Sequence, residues 1–426
     1  MLQASGGVGS GDRRGCARPH RGSPAGPTAT THPRWTRLLV VGLGCVLAAA
    51  CTSTARQETT ATSQAAAGPT QRDYWPTAGW RTAAPDEQGM DPAVLNHLDT
   101  IVPDNYPQVR SVLVVRHGYL VVERYWQGVE ASDGHDVRSV TKSFTSALVG
   151  IALGDGKLKG LDQTVEELLA DHLPANADPR LRQVTVEQLL TMTSGLAGDD
   201  SSLGGDDQLF DRMLQSRDWV RHILSRRLET TPGESWAYSS ASSHLLSAIV
   251  ADATGQSTLA FAKAKLFAPL GIAADDALEP TVRHWPPPPA EWAAYEQAPV
   301  AWPRDPQGYH VGGVGLRLPA RELAKLGYLY LNKGLWDGTQ VVPADYVAAS
   351  TRPQSDPSRG PGDYGYQWWV TNETGHDSFR AMGFGGQVIQ VIPDLDLVVV
   401  ITSDPDQGRH DGPNLVGATI VPAITG

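Results

Sequence analysis

The strand-forming runs of this chain stand near its two ends and leave the middle to helices. Ser111-Val-Leu-Val-Val115 and Tyr119-Leu-Val-Val-Glu-Arg-Tyr125 flank Arg116-His117-Gly118, a tight connection suited to antiparallel strands. Far along the chain, Gln387-Val-Ile-Gln-Val-Ile-Pro393 and Leu397-Val-Val-Val-Ile-Thr-Ser403 flank Asp394-Leu-Asp396. Helical spacing governs most of 160–350, as in Val184-Thr-Val-Glu-Gln-Leu-Leu-Thr-Met192 and Arg321-Glu-Leu-Ala-Lys-Leu-Gly-Tyr-Leu-Tyr-Leu331. It also predicts a helix over Pro92–Ile101 behind Asp91 as N-cap, and a short final helix over Leu415–Val421 closed off by Pro422. Strands at both ends with helices between predict an α+β architecture and exclude a βαβ repeat.

One internal stretch resists both patterns. Residues 284–305 hold Trp285, four consecutive prolines, Trp292 and Trp302, which predicts neither regular helix nor central strand. A loop of that length is a candidate wall of a binding site. Trp302 at its end and His310 just before Gly312-Gly313 are candidate substrate contacts, although either would serve equally as a packing residue.

The beginning of the chain carries a different signal. All three cysteines, Cys16, Cys45 and Cys51, fall within the first 51 residues, so the rest can form no disulfide and offers no thiolate. Arg34 and Arg37 precede an apolar run, Leu38–Ala50, too short for a comfortable membrane span. The run ends in Leu47-Ala-Ala-Ala-Cys51, which resembles a bacterial lipobox with Cys51 as the lipidated residue, although Ala48 stands where Leu or Val is usual. A cleaved secretory signal and an uncleaved anchor are the alternatives. The 33 residues ahead of Arg34 are long for such a leader, which points to a translation start downstream of Met1. Residues 52–73, rich in Thr, Ser, Ala and Gln, read as a flexible linker, and 74–426 as the folded domain. The expected location is therefore the outer face of the bacterial cell membrane, through a lipid anchor at Cys51, or otherwise the medium.

A net charge of −11 leaves no electrostatic footprint for nucleic acid. The twelve histidines include no H-E-x-x-H pair, so no metal site is expected; no G-x-S-x-G elbow or dinucleotide-binding glycine pattern occurs in context. No cofactor is called for.

Three clusters carry chemistry instead. Ser139-Val-Thr-Lys142 opens a long apolar helix running through Phe144, Leu148 and Ile151 to Gly154-Asp155-Gly156, and places a hydroxyl and an amine on one face. Of the seven lysines, only Lys142 has a serine three residues before it. Ser139 is the candidate nucleophile, and its own N–H a candidate oxyanion donor. Lys142 can hold the proton if burial lowers its pKa. In Tyr238-Ser-Ser240 the outer two residues can face one cavity, and an ammonium nearby would favour a Tyr238 phenolate that takes the serine proton. In Gly383-Phe384-Gly385-Gly386-Gln387, Phe384, Gly385 and Gly386 let backbone approach a substrate, and the Gln387 N–H is the candidate second oxyanion donor.

In order and content these clusters resemble the serine β-lactamase and penicillin-binding-protein superfamily, in its class C-like branch with family VIII esterases and 6-aminohexanoate-dimer hydrolase. Ser139-Val-Thr-Lys142, Val184 to Gly195, Tyr238-Ser-Ser240, Gly312-Gly-Val-Gly-Leu-Arg-Leu318 and Gly385-Gly386 carry the resemblance, which spans about Trp80 to Ile420. It implies a β-lactamase-like fold, an antiparallel sheet flanked by helices plus a mostly helical lobe, with an acyl-serine mechanism between them. Two departures matter: Ser240 stands where many relatives have Asn, and Phe384 where β-lactamases and DD-peptidases usually begin the last motif with Lys or His. Without a cation there, a substrate carboxylate loses an obvious partner. The resemblance therefore implies a small ester or amide as substrate. A DD-peptidase or weak β-lactamase acting on wall peptide or drug is the first alternative, and a surface binding protein without turnover the second.

Overall fold

The hairpin and the C-terminal strands meet in one sheet. The computed structural model describes residues 72–283, 288–355, 363–405 and 412–426. Its principal sheet has seven strands: β1 (Val109–Arg116), β2 (Tyr119–Tyr125), β3 (Asp363–Tyr364), β4 (Trp369–Glu373), β5 (His376–Gly383), β6 (Gln387–Ile392) and β7 (Leu397–Ser403), in the order β2-β1-β7-β6-β5-β4-β3. All neighbours pair antiparallel. His117 and Gly118 both take positive φ, 51° and 87°, as a two-residue hairpin turn matched to strand twist requires. The first strand pairs with the last, from Val112 opposite Ile401 to Arg116 opposite Leu397.

Alternation along the strands divides the core in two. Leu113, Val115, Ile389, Val391, Val398 and Val400 are buried with Phe144, Leu148, Leu245, Ile249, Leu323 and Leu326. Those last six lie on α1 (Thr141–Gly154), α2 (Ser240–Thr254) and α3 (Ala320–Leu331). Val112, Val114, Val388, Val399 and Ile401 are buried instead with Leu95, Leu98, Val102, Leu415 and Ile420, from the helical turns at the two ends of the domain. With both faces covered, the central strands read as unbroken apolar runs.

The α+β expectation holds, with local corrections. The predicted helix over Pro92–Ile101 is two, Pro92–Asn96 and Leu98–Asn105, with Asp91 capping the first through Ala93 N at 2.7 Å. Residues 289–297 of the supposed irregular stretch form a helix. Pro289 sits at its first position, where the missing N–H costs nothing. The final helical segment starts at Gly412 and runs through Pro422 to Ala423 in successive α, π and 3-10 turns. The leader, Cys51 and the linker up to residue 71 lie outside the described residues. Among the described residues no helix is long and apolar enough to cross a membrane.

Candidate active site

Ser139 occupies a 3-10 turn, Arg138–Val140, directly ahead of α1. The turn is pinned from both sides. Arg138 N donates to Asp136 Oδ1 at 2.9 Å, while Thr141 Oγ1 donates to Arg138 O at 2.6 Å and accepts from Leu316 N at 3.1 Å. Arg138 itself is held at φ 48°, a left-handed conformation costly for a side chain with a Cβ and found where surroundings over-determine the backbone. Ser139 is thereby left half-buried at the foot of an open cleft of about 390 Å³.

Lys142 lies in the first turn of α1, beneath Ser139. It is 1% exposed and donates to Ser139 Oγ at 3.2 Å, Ser240 Oγ at 3.2 Å and Gly313 O at 2.9 Å. Burial pushes its pKa down from 10.5 to about 8, against the pull of Asp199 and Asp200, which favour the charged form. Tyr238 is also buried; burial raises its pKa more than its interaction with Ser139 lowers it, the opposite of what a resident phenolate needs. The neutral amine of Lys142 is thus the more accessible base, with the phenol as a proton carrier. Ser239 caps α2 through Ser242 N at 3.3 Å, which sets Ser240 at the first helical position, facing Lys142.

One strand and one aromatic cluster wall the cleft. Tyr238 stacks on Trp369 at 5.9 Å and 19° and meets Tyr364 edge-on at 6.4 Å, with Met192, Trp236 and Met382 in the same cluster. From β5 and its turn, Arg380, Met382, Gly383 and Phe384 line the opening, and Phe384 is 50% exposed. Gly383 is obligatory there. A Cβ on it would lie 2.2 Å from Val137 O and 3.1 Å from Arg138 Cβ, so only glycine lets the strand press against the turn that carries Ser139.

Several sequence-based site residues are placed elsewhere. Gln387 is 1% exposed and does not line the cleft; its amide donates to Ser403 O at 2.7 Å and accepts from Ser403 N at 3.0 Å. From this segment it is Met382, Gly383 and Phe384 that line the cleft with Ser139. Gly385 and Gly386, at φ 79° and 93°, serve the β5–β6 turn and do not line the cleft either. Trp302 and His310 are fully buried packing residues. Trp302 Nε1 donates to Val311 O at 2.9 Å, and His310 pairs with Glu279 at 3.0 Å. The helix at 289–297 contributes Trp292 and Tyr295 to a separate, mostly apolar hollow of about 740 Å³ that shares Arg138 but not Ser139.

Three contributors went unread in the sequence. Asp199 is buried and accepts from Ser240 N at 2.8 Å and Ala241 N at 3.3 Å, so it anchors the start of α2; burial raises its pKa while those donors and Lys142 oppose the rise. Gly313 supplies the third acceptor for Lys142. Arg380 puts a cation in the cleft, which the expectation built on Phe384 had denied. The first could have been sought in Ser194-Gly195-Leu-Ala-Gly-Asp199, which follows a framework motif, whereas Arg380 carries no local signal beyond its place on a strand.

The family described as Beta-lactamase matches residues 108–416. The chain is similar to the 6-aminohexanoate-dimer hydrolase of Paenarthrobacter ureafaciens, 26% identical over 363 residues that cover 79% of this chain and 84% of the relative. It is also similar to esterase EstB of Burkholderia gladioli, 32% identical over 178 residues, 38% of this chain and 44% of that one. In fold it resembles EstCE1, described as a hydrolase with promiscuous acyltransferase activity, with TM-score 0.59 and 17% identity over 78% of this chain and 97% of that one. The octameric penicillin-binding protein homologue from Pyrococcus abyssi gives TM-score 0.56 and 19% identity over 77% and 76%. The matched span begins one residue before β1 and ends in the last helical turns, so it takes in the whole sheet and every residue of the Ser139 cleft: this chain belongs to the β-lactamase family of serine hydrolases.

Proposed function

We propose that this protein is an exported hydrolase that cleaves ester or amide bonds of a small substrate through an acyl-serine intermediate. One observation carries the reading: Ser139 Oγ, in the lining of the cleft, accepts from Lys142 Nζ at 3.2 Å beside the buried Tyr238 hydroxyl. Neutral Lys142 takes the Ser139 proton as Oγ bonds to the substrate carbonyl carbon. The Ser139 N–H and the backbone of Met382–Phe384 face the developing oxyanion. Collapse expels the alcohol or amine, which receives the proton through Tyr238, and Ser240 keeps Lys142 in line. Water then attacks the ester by the reverse relay, releasing the acid and restoring Ser139. Residues 34–51 support export and lipidation at Cys51; Cys51→Ser should move the protein from the membrane fraction to the medium.

The test compares p-nitrophenyl butyrate hydrolysis by the wild type and Ser139→Ala. Loss of turnover with an unchanged circular dichroism spectrum is the expected result. Equal rates would sink the mechanism. A second reading, a DD-peptidase or weak β-lactamase, is favoured by Arg380 in the cleft, since both substrate types carry a carboxylate. Turnover of a chromogenic cephalosporin well above that of the simple ester would select it. A penicillin adduct at Ser139 that never turns over would instead select the binding-protein reading.

A further inference from the structure

Resting on the acyl-serine reading of the same cleft, we propose that Arg380 is the specificity-determining residue of this site and that the substrate carries a free carboxylate bound by its guanidinium. Arg380 is 7% exposed, yet it lines the cleft that opens on Ser139. A guanidinium presents five N–H donors, and a buried one ordinarily satisfies them. Here, among the described residues, no acceptor lies within hydrogen-bonding geometry of any of them, and Nε is buried without a partner. Its one ion pair is long: Arg380 Nη1 is 3.6 Å from Glu373 Oε2, an oxygen that already accepts from Gln390 Nε2 at 3.2 Å. The cross-strand neighbours do not close the gap. Trp369 brings no side-chain acceptor, and the Gln390 carbonyl oxygen is itself unpartnered.

A buried cation with open donors is expensive unless something completes it, and the fork of a guanidinium matches a carboxylate two bonds at a time. Position fits the role. Arg380 and Met382 share one face of β5, about 7 Å apart along the strand, and Met382 adjoins the backbone that faces Ser139. The bound carboxylate therefore lies one spacer away from the reacting carbonyl, in line with the strand. The other charged group lining the cleft, Asp200, is an anion whose Oδ1 accepts from Ser202 N at 2.9 Å and Ser202 Oγ at 2.5 Å. Among the lining residues Arg380 is therefore the one that offers a carboxylate a positive charge.

The experiment measures kcat/KM for mono-p-nitrophenyl esters of glutarate, adipate and suberate against their neutral methyl diesters. A parallel pair, 4-(butyryloxy)benzoate and its methyl ester, puts the charge on the leaving group instead. The wild type is expected to favour the acid over the neutral ester by about tenfold or more in at least one set. Arg380→Gln should remove that preference and Arg380→Lys should restore part of it. No preference in the wild type in either set, or a preference that survives Arg380→Gln, overturns the proposal. Calorimetric binding of the same acids and methyl esters to Ser139→Ala reads the anion seat without turnover. Failed chemistry with retained acid-selective binding would then count against the acyl-serine reading alone, and neutral ester turnover without acid selectivity against Arg380 alone.

Discussion

Lys142 Nζ lies over the Tyr238 ring, 4.7 Å from its centre, and the two polar ends point to the same serine without bonding each other. Burial opposes the ammonium more strongly than Asp199 and Asp200 favour it, and the balance leaves the amine near a pKa of about 8. The phenol needs no ionisation in this arrangement. Accordingly kcat/KM for p-nitrophenyl butyrate should climb about tenfold per pH unit below 8 and level off above it, as Lys142 loses its proton. Tyr238→Phe should lower the plateau by about 10²-fold or more and leave the midpoint near 8. A midpoint that disappears with the phenol would assign the titration to Tyr238 instead.

The same lysine should leave a mark on stability. In the unfolded chain it holds its proton to about 10.5, in the native state only to about 8, so the unfolded state binds more protons between those values. Native stability then rises with pH across that window, and the cost of burying the charge is fully present below it. Lys142→Met removes the titration. Urea unfolding should show the wild type gaining on Lys142→Met by roughly 3 kcal/mol between pH 7 and pH 10.5, with no gain between pH 5 and pH 7.

Asp199 joins the base to the helix that faces it. Its charge favours the Lys142 ammonium, and its oxygens accept from Ser240 N and Ala241 N. Asp199→Asn should therefore shift the rising limb of the pH–rate profile to lower pH, because the amine loses a stabilising anion. Asp199→Ala should also destabilise the fold by about 1–3 kcal/mol, through buried donors left without partners. A limb that stays in place in the Asn variant would reduce Asp199 to a helix cap.

Gly383→Ala tests the contact between strand and turn. The added methyl must displace Val137 O or the strand edge, since the two are 2.2 Å apart in the unrelaxed geometry. The expected outcome is a fall in kcat of about 10²-fold with KM little changed, the signature of misplaced reacting groups and not of lost binding. Trp302→Phe, buried and remote from the cleft lining, should lower the melting temperature and leave KM unchanged.

How much of this was legible follows from what each residue depends on. β1, β2, β6 and β7 could be read because runs of Val, Ile and Leu dominate them, buried on both sides of the sheet. β4 and β5 could not, for Asn372, Glu373, Asp377 and Arg380 interrupt them where the sheet gives way to the cleft. Ser139, Lys142, Tyr238 and Ser240 come together because each lies beside a helix start with its own local signature. The oxyanion side was misread by a few residues, since turn and strand differ there only in which glycine carries the close contact. Trp302 and His310 showed the same limit: a large or titratable side chain near a motif says nothing about which way it points.

The pairing of β1 with β7 puts the last strand of the sequence at the heart of the sheet, between the β1–β2 hairpin and the other four strands. A chain that stops just short of Leu397 owns both flanks of that sheet and lacks the strand that joins them. The turn that carries Ser139 is pressed by Gly383 from one of those flanks. The two flanks are thus joined through a strand that supplies no residue to the lining of the cleft.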